Sequence, residues 1–191
     1  MSSSPALFTI GHSTHPIEIF IGLLSMHNIA MLFDVRSYPS SRRWPQFSHA
    51  ELQQSLEDVG VAYRWAKALG GRRTSKRIDS PHSAWEHPAF RAYADYTETP
   101  EFAAGLAELM QVALEVRAVI MCSEGLWWRC HRRIISDHLT VRGWGVTHVM
   151  PDGKLTPHAL PDFATVNGER IVYDGGQRTL KLESKLKCKL K

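Results

Sequence analysis

Between positions 122 and 133 the chain carries two thiols, a carboxylate, an imidazole and several guanidiniums: Cys122, Glu124, Arg129, Cys130, His131, Arg132 and Arg133. A continuous apolar run, Ala118 to Met121, precedes them, and Ile134, Ile135, His138 and Leu139 follow at near-helical spacing. The pattern reads as a buried strand, a short loop and a helix. A helix starting at position 129 puts Cys130 in its first turn, where the helix dipole and the neighbouring arginines favour thiolate. Cys130 is then a candidate nucleophile. Cys122 is either a second reactive thiol or a small core residue, since free cysteine is commonly buried. Glu124 is a general acid or base or an ion-pair partner, and His131 a base or a helix-end residue.

A metal is the weaker reading of the same residues. Cys122, Cys130 and His131, with His12, supply four potential ligands. Their spacing matches no common zinc motif, however, and adjacent residues on a helix point about 100° apart. No cofactor is required by the sequence.

Other reactive residues fall at the ends of apolar segments. Ala6 to Ile10 reads as a strand ending in Gly11-His12-Ser13-Thr14-His15, before a helix opened by Pro16. Ile29 to Val35 is a second strand, closing on Asp34 and Arg36 and followed by a Pro- and Ser-rich loop with Arg42 and Arg43. Ser48 with Glu51 is a capping box for a helix with Leu52, Leu56 and Val59 on its apolar face, stopped by Gly60. Val61 to Trp65 is a third strand, leading to Gly70, Gly71, Arg72 and Arg73. Residues 74–88 are irregular and polar, as in a lid. Thr99 and Pro100 start a helix with Phe102, Leu106, Leu109 and Val112 inward, and Gly145 to Met150 is a further strand.

Alternating strands and helices imply a single α/β domain, residues 1–150, with a mainly parallel sheet covered by helices. Past Pro151, Asn167-Gly168 marks a hairpin turn. Residues 151–180 are read as a C-terminal β-ribbon extension and 181–191 as a basic tail. In a parallel sheet the strand ends share one edge, where ligands bind. The expectation is one crevice with Cys130, Cys122, Glu124, His131, His12 and Asp34 as catalytic residues. Ser13, Arg36, Arg42, Gly70, Gly71 and Arg132 are expected to hold the substrate.

Composition bounds the rest. The chain has 191 residues, 22% charged and 43% hydrophobic, with a formal net charge of +4. Several arginines near one crevice suit an anion, because guanidinium holds two oxygens at once. Three cysteines, an odd number, argue against a secreted disulfide scaffold and for reduced thiols in the cytoplasm. No signal peptide and no membrane-spanning run is read.

Gly11-His12-Ser13-Thr14, Asp34-Val35-Arg36 with Pro39, Ser41 and Phe47, Leu69-Gly70-Gly71, and Cys122-Ser123-Glu124 with Cys130-His131-Arg132 together resemble the bacterial and archaeal family numbered 488 among domains of unknown function. The resemblance spans about Thr9 to Val149. It implies a small α/β fold with a site made from these loops, and no particular reaction. The leading expectation is an enzyme, a cysteine-dependent hydrolase or transferase, acting on an anionic small molecule, nucleotide or nucleic acid. The alternative is a non-catalytic nucleic-acid-binding or thiol redox-sensor module, with Trp44, Trp65, Trp127 and Trp128 available to stack on bases.

Overall fold

The computed structural model describes residues 4–75 and 77–176. The basic tail expected at 181–191, Cys188 within it and the last residues of the expected extension lie outside the described residues.

Six strands form the main sheet: β1 (Ala6–Gly11), β2 (Met31–Asp34), β3 (Ala62–Trp65), β4 (Ala118–Cys122), β5 (Gly145–Val149) and β6 (Leu155–Pro157). Their order is β3-β2-β4-β1-β5-β6. The first five are parallel and β6 pairs antiparallel with β5 at the edge. The sheet is therefore mainly parallel, as the alternation of elements implies. β4 lies at its centre and is buried along its whole length, which its unbroken apolar sequence requires.

Helices cover both faces. α1 (Ile17–Met26) and α2 (His49–Glu57) bury Phe20, Leu23, Leu24, Leu52 and Leu56 against Phe8, Ile10, Leu32, Val119 and Met121. α3 (Pro88–Tyr96), α4 (Pro100–Glu115) and α5 (Arg132–Thr140) pack on the other face, over Leu7, Phe33, Val35, Ala118, Ile120, Cys122 and Val146. Alternate strand residues thus serve opposite layers. Parity puts Phe8, Ile10 and Leu32 on the α1/α2 side and Ala118, Ile120 and Cys122 on the α5 side.

Several local expectations need correction. Ser48 caps no amide of α2; its hydroxyl exchanges bonds with the backbone of Ser41 instead, at 3.3 and 3.5 Å. Val59 lies beyond the end of α2 and is exposed. α3, opened by Pro88 and capped by the His87 ring, follows the irregular 74–88 segment and was not anticipated. Nor was β6. The later half of that segment is held down: His82 and Trp85 are buried, and the Ala84 amide donates to the Tyr173 carbonyl at 2.9 Å.

The hairpin forms as its turn signal indicates, from β7 (Ala164–Asn167) and β8 (Arg170–Tyr173), with Gly168 at φ +60°. Ile171 and Tyr173 enter the α3–α5 core. A buried polar chain ties the hairpin to the sheet. Tyr173 donates to Asp137 Oδ2 (2.7 Å) and Asp137 Oδ1 meets His158 Nε2 (2.7 Å). His158 Nδ1 meets His148 Nε2 (2.9 Å), and His148 Nδ1 meets Thr9 Oγ1 (2.7 Å).

Burial pushes the imidazoles of His138 and His148 down to about 3, with Arg142 assisting at the first and His158 at the second. Both are neutral in the fold, whereas the unfolded chain protonates them near pH 6.5. The stability they permit is complete above that pH and is lost as pH falls towards 3. We expect unfolding free energy to drop by about 1.4 kcal/mol per pH unit for each such histidine between pH 6 and 4.5. Denaturant titrations across this window check it, and His148→Gln should flatten the slope. A level wild-type profile would contradict it.

Candidate active site

Neighbouring strands hand over to opposite faces at the C-terminal edge of the sheet. β1 and β2 hand over to helices on one face, and β4, inserted between them, hands over to α5 on the other. Such a switch point leaves a cleft in an open α/β sheet. Here it is a crevice of about 800 Å³. Its lining includes His12, Ser13 and Thr14 after β1, Arg36, Ser37, Tyr38, Ser40 and Ser41 after β2, Gly71 and Arg72 after β3, and Cys122 to Gly125 at the end of β4, with His131 from the start of α5.

Backbone bonds prolong the strands into these loops. The amides of His12 and Ser13 donate to the Cys122 and Ser123 carbonyls (both 3.0 Å), and the Val35 amide to Met121 (2.9 Å). Gly11 is required here, because a Cβ on it would collide with the Glu124 carbonyl. Ser13 sits at φ 50°, a conformation L side chains rarely adopt.

The sulfurs and the imidazole form one cluster. Cys122 points to the α5 side by strand parity. Cys130 does not lie in the helix: its backbone is extended (φ −126°, ψ 148°), His131 is the N-cap and α5 begins at Arg132. The 100° separation expected of adjacent helical residues is therefore absent, and Cys130 and His131 turn to the same point. His131 Nδ1 lies 3.5 Å from Cys130 Sγ and 4.0 Å from Cys122 Sγ. Its Nε2–H donates to the Val35 carbonyl at 2.9 Å, which leaves Nδ1 as the bare nitrogen facing both sulfurs. Both cysteines are free and buried.

Electrostatics separate the two thiols. The hydrogen bond to Cys130, together with burial, pushes Cys122 up to about 12. Burial would raise Cys130 as well, but the bond from Cys122 and the Arg132 guanidinium outweigh it and hold this thiol below its usual value. The two shifts favour the proton on Cys122 and the negative charge on Cys130.

The other candidates divide. Asp34 and Arg36 form a buried ion pair: Arg36 Nε and Nη2 bond the carboxylate at 2.9 and 2.5 Å, and Nη1 donates to the Phe47 carbonyl at 2.7 Å. Tyr63 also donates to Asp34, at 2.8 Å. Asp34 thus serves to orient Arg36, and two of the five guanidinium N–H groups stay free for the crevice that Arg36 lines. His12 donates from Nδ1 to the Ser13 carbonyl (3.0 Å) and stacks on Phe47 (4.1 Å), leaving Nε2 unpartnered. Burial and the nearby Arg36 charge lower it to about 4, so it is neutral and accepting. Glu124 is exposed on the rim, whereas Arg132 is fully buried behind the cluster, bonding Cys130 Sγ at 3.4 Å and the Glu124 carbonyl. Arg42 and Gly70 do not line the crevice; Arg42 is exposed and Gly70 packs against Ser37.

Ser37, Tyr38, Ser40, Ser41 and Ser123 line the crevice without having been singled out as site residues, whereas Trp44, expected to stack on bases, and Arg72, expected at the end of the third strand, also line it. The Ser-rich composition of the loop after β2 was the available signal. Of the other tryptophans, Trp127 stacks on His148 at 4.2 Å, Trp65 packs edge-on to His49, and Trp128 is partly exposed.

The sequence matches a family described as Domain of unknown function DUF488 over residues 16–139, a span that includes the sulfur–imidazole cluster and stops short of His12. None of the curated proteins and none of the solved structures compared with the chain matches it.

A Cβ at Gly71 would run into the His131 ring, and one at Gly22, in α1, meets nothing within 4 Å. We expect Gly71→Ala to cost about 1–3 kcal/mol as an overpacking change. It should also shift the His131 ring resonances in NMR spectra. Gly22→Ala is the control and should be neutral or slightly stabilising. An unperturbed His131 in Gly71→Ala would show that this contact does not set the ring position.

Proposed function

Since the chain belongs to the DUF488 family, which assigns no reaction, we propose from the site itself that it is an enzyme acting on an anionic, phosphate-bearing substrate, with Cys122, Cys130 and His131 as the reacting centre. The observation that carries this reading is the composition of the crevice: seven hydroxyls and two guanidiniums against one carboxylate, Glu124, ending on the sulfur–imidazole cluster. Hydroxyl, guanidinium and backbone N–H donors are what phosphate oxygens bond. Arg72 supplies an exposed charge, and the two free N–H groups of Arg36 a fixed fork. Ser13 and Ser123 flank the place where the substrate meets the cluster.

In this reading sulfur supplies the nucleophile, His131 Nδ1 accepts or orients a proton, and the unpartnered His12 Nε2 accepts a hydrogen bond from the substrate. Glu124, on the rim, is placed to exchange a proton with water or a leaving group. The volume fits a nucleotide-sized group. A nucleic acid would enter with its phosphate in the crevice and a base near Trp44, over which the Arg43 guanidinium lies at 5.7 Å.

Calorimetric titration with inorganic phosphate, nucleoside monophosphates and short single-stranded oligonucleotides tests this. Arg72→Ala should weaken binding about tenfold, the loss of one charge-assisted hydrogen bond. Cys130→Ser should abolish turnover of the bound ligand and spare its affinity. Absence of millimolar binding by any of these anions, or full turnover by Cys130→Ser, would overturn the reading.

A further inference from the structure

We infer that Cys122, Cys130 and His131 form a three-ligand site for a thiophilic divalent cation, zinc fitting best, with the fourth coordination position left to the crevice. The inference rests on the reading of this cluster as the reacting centre and changes the roles within it: with the metal bound, Cys122, Cys130 and His131 would be ligands, and an oxygen at the open position would replace sulfur as the nucleophile. Three observations on different elements support it.

The first is separation. The ligating atoms of the three residues all lie within 4.8 Å of one another. For zinc with bonds of about 2.3 Å to sulfur and 2.0–2.1 Å to nitrogen, a tetrahedron requires ligand atoms roughly 3.6 Å apart for S···N. The distances from His131 Nδ1 to the two sulfurs are 3.5 and 4.0 Å, close to that value.

The second is orientation. A ligating histidine is usually fixed by a hydrogen bond from its other ring nitrogen to a backbone carbonyl or carboxylate. His131 makes that bond, to Val35 at 2.9 Å, and its free nitrogen faces the sulfurs. The close approach of Gly71 to the ring leaves it little freedom to turn away.

The third is the support of the sulfurs. Arg132 Nε–H bonds Cys130 Sγ, an outer contact that suits a metal-bound thiolate. Among the described residues no fourth protein ligand joins the set. The crevice and a second hollow of about 410 Å³, lined in part by Phe90 and Trp128, both reach Cys122 and His131. Three protein ligands with an open position mark a catalytic rather than a structural zinc site. Water or a substrate oxygen would take that position.

The test uses the full chain, reduced and stripped with chelator, then loaded with zinc or cobalt(II). Expected are one retained equivalent of zinc and, at Cys122 and Cys130, slower maleimide labelling in the zinc-loaded chain than in the stripped chain, since burial alone slows both. Cobalt should give a thiolate-to-metal charge-transfer band that falls by about half in Cys122→Ser or Cys130→Ser. His131→Ala should weaken zinc at least tenfold. Cys188→Ser should leave the metal in place. Maleimide protection in the wild-type chain stands even if ligand variants fold poorly. No retained zinc, unprotected thiols, or retention abolished by Cys188→Ser would overturn the inference. Phosphate binding that survives without metal leaves the crevice reading standing. Zinc bound by a protein that takes no phosphate-bearing ligand would sink that reading and spare the metal site.

Discussion

A guanidinium buried without a carboxylate is the constraint that organises this structure. Arg132 is fully buried, and among the described residues none of the ion pairs includes it. An unanswered charge in that position costs several kcal/mol. The nearest group able to carry a negative charge is the Cys130 sulfur, 3.4 Å from Nε. The contact from the arginine to this sulfur favours its thiolate form. Arg132 also bonds the Glu124 carbonyl, and that carbonyl leaves no room for a side chain at Gly11. One side chain thus links the end of β1, the loop after β4 and the start of α5. The same side chain therefore joins the Cys130 sulfur to the loop that borders the crevice.

The sheet divides the labour between its faces. Parity along β1 and β2 turns His12, Asp34 and Arg36 to the α1/α2 side, where Phe47 receives both the stacked imidazole and an arginine hydrogen bond. Parity along β4 turns Cys122 to the α5 side. The two groups meet only beyond the last paired residues, where the loops leave the plane. Neutral acceptor and fixed guanidinium therefore face the cavity from one layer and the Cys122 sulfur from the other, with Cys130 lining the neighbouring hollow. A one-residue slip of β4 would exchange Cys122 for Met121 on the α5 face and remove the cluster.

The frame was readable because its signals were local, each contained in a few consecutive residues. The apolar run at Ala118–Met121, Pro16 and Thr99 as helix openers, and Asn167-Gly168 each matched an element. β6 carries too short a pattern to register, and α3 follows a polar stretch whose later half is fixed by burial of His82 and Trp85 against the hairpin. Ser48 shows how a local rule loses to a nearby competitor, since Ser41 takes the hydroxyl that the capping box would use. At the site, the gathering of strand-end residues followed from parallel topology. Three features did not. The extended backbone of Cys130 depends on the 3-10 turn at Trp127–Arg129. The engagement of Arg36 by Asp34 depends on side-chain direction. The orientation of His131 depends on a carbonyl 96 residues away in sequence. None of these has a periodic signature.

α5 explains how such a cluster stays ordered without a covalent brace. Its first residue, Arg132, is held at the crevice floor. Midway along, Asp137 is gripped by His158 from the strand-edge segment and by Tyr173 from the hairpin, at 2.7 Å each. Ile134, Ile135 and Leu139 fill the core between these anchors. A helix fixed by polar bonds at two points and by apolar packing between them can neither slide along its axis nor roll about it without breaking one of them. His131, the N-cap, inherits that rigidity. The C-terminal hairpin is then more than an appendage, since through Tyr173 and Asp137 it helps to fix the helix that presents the imidazole to the sulfurs.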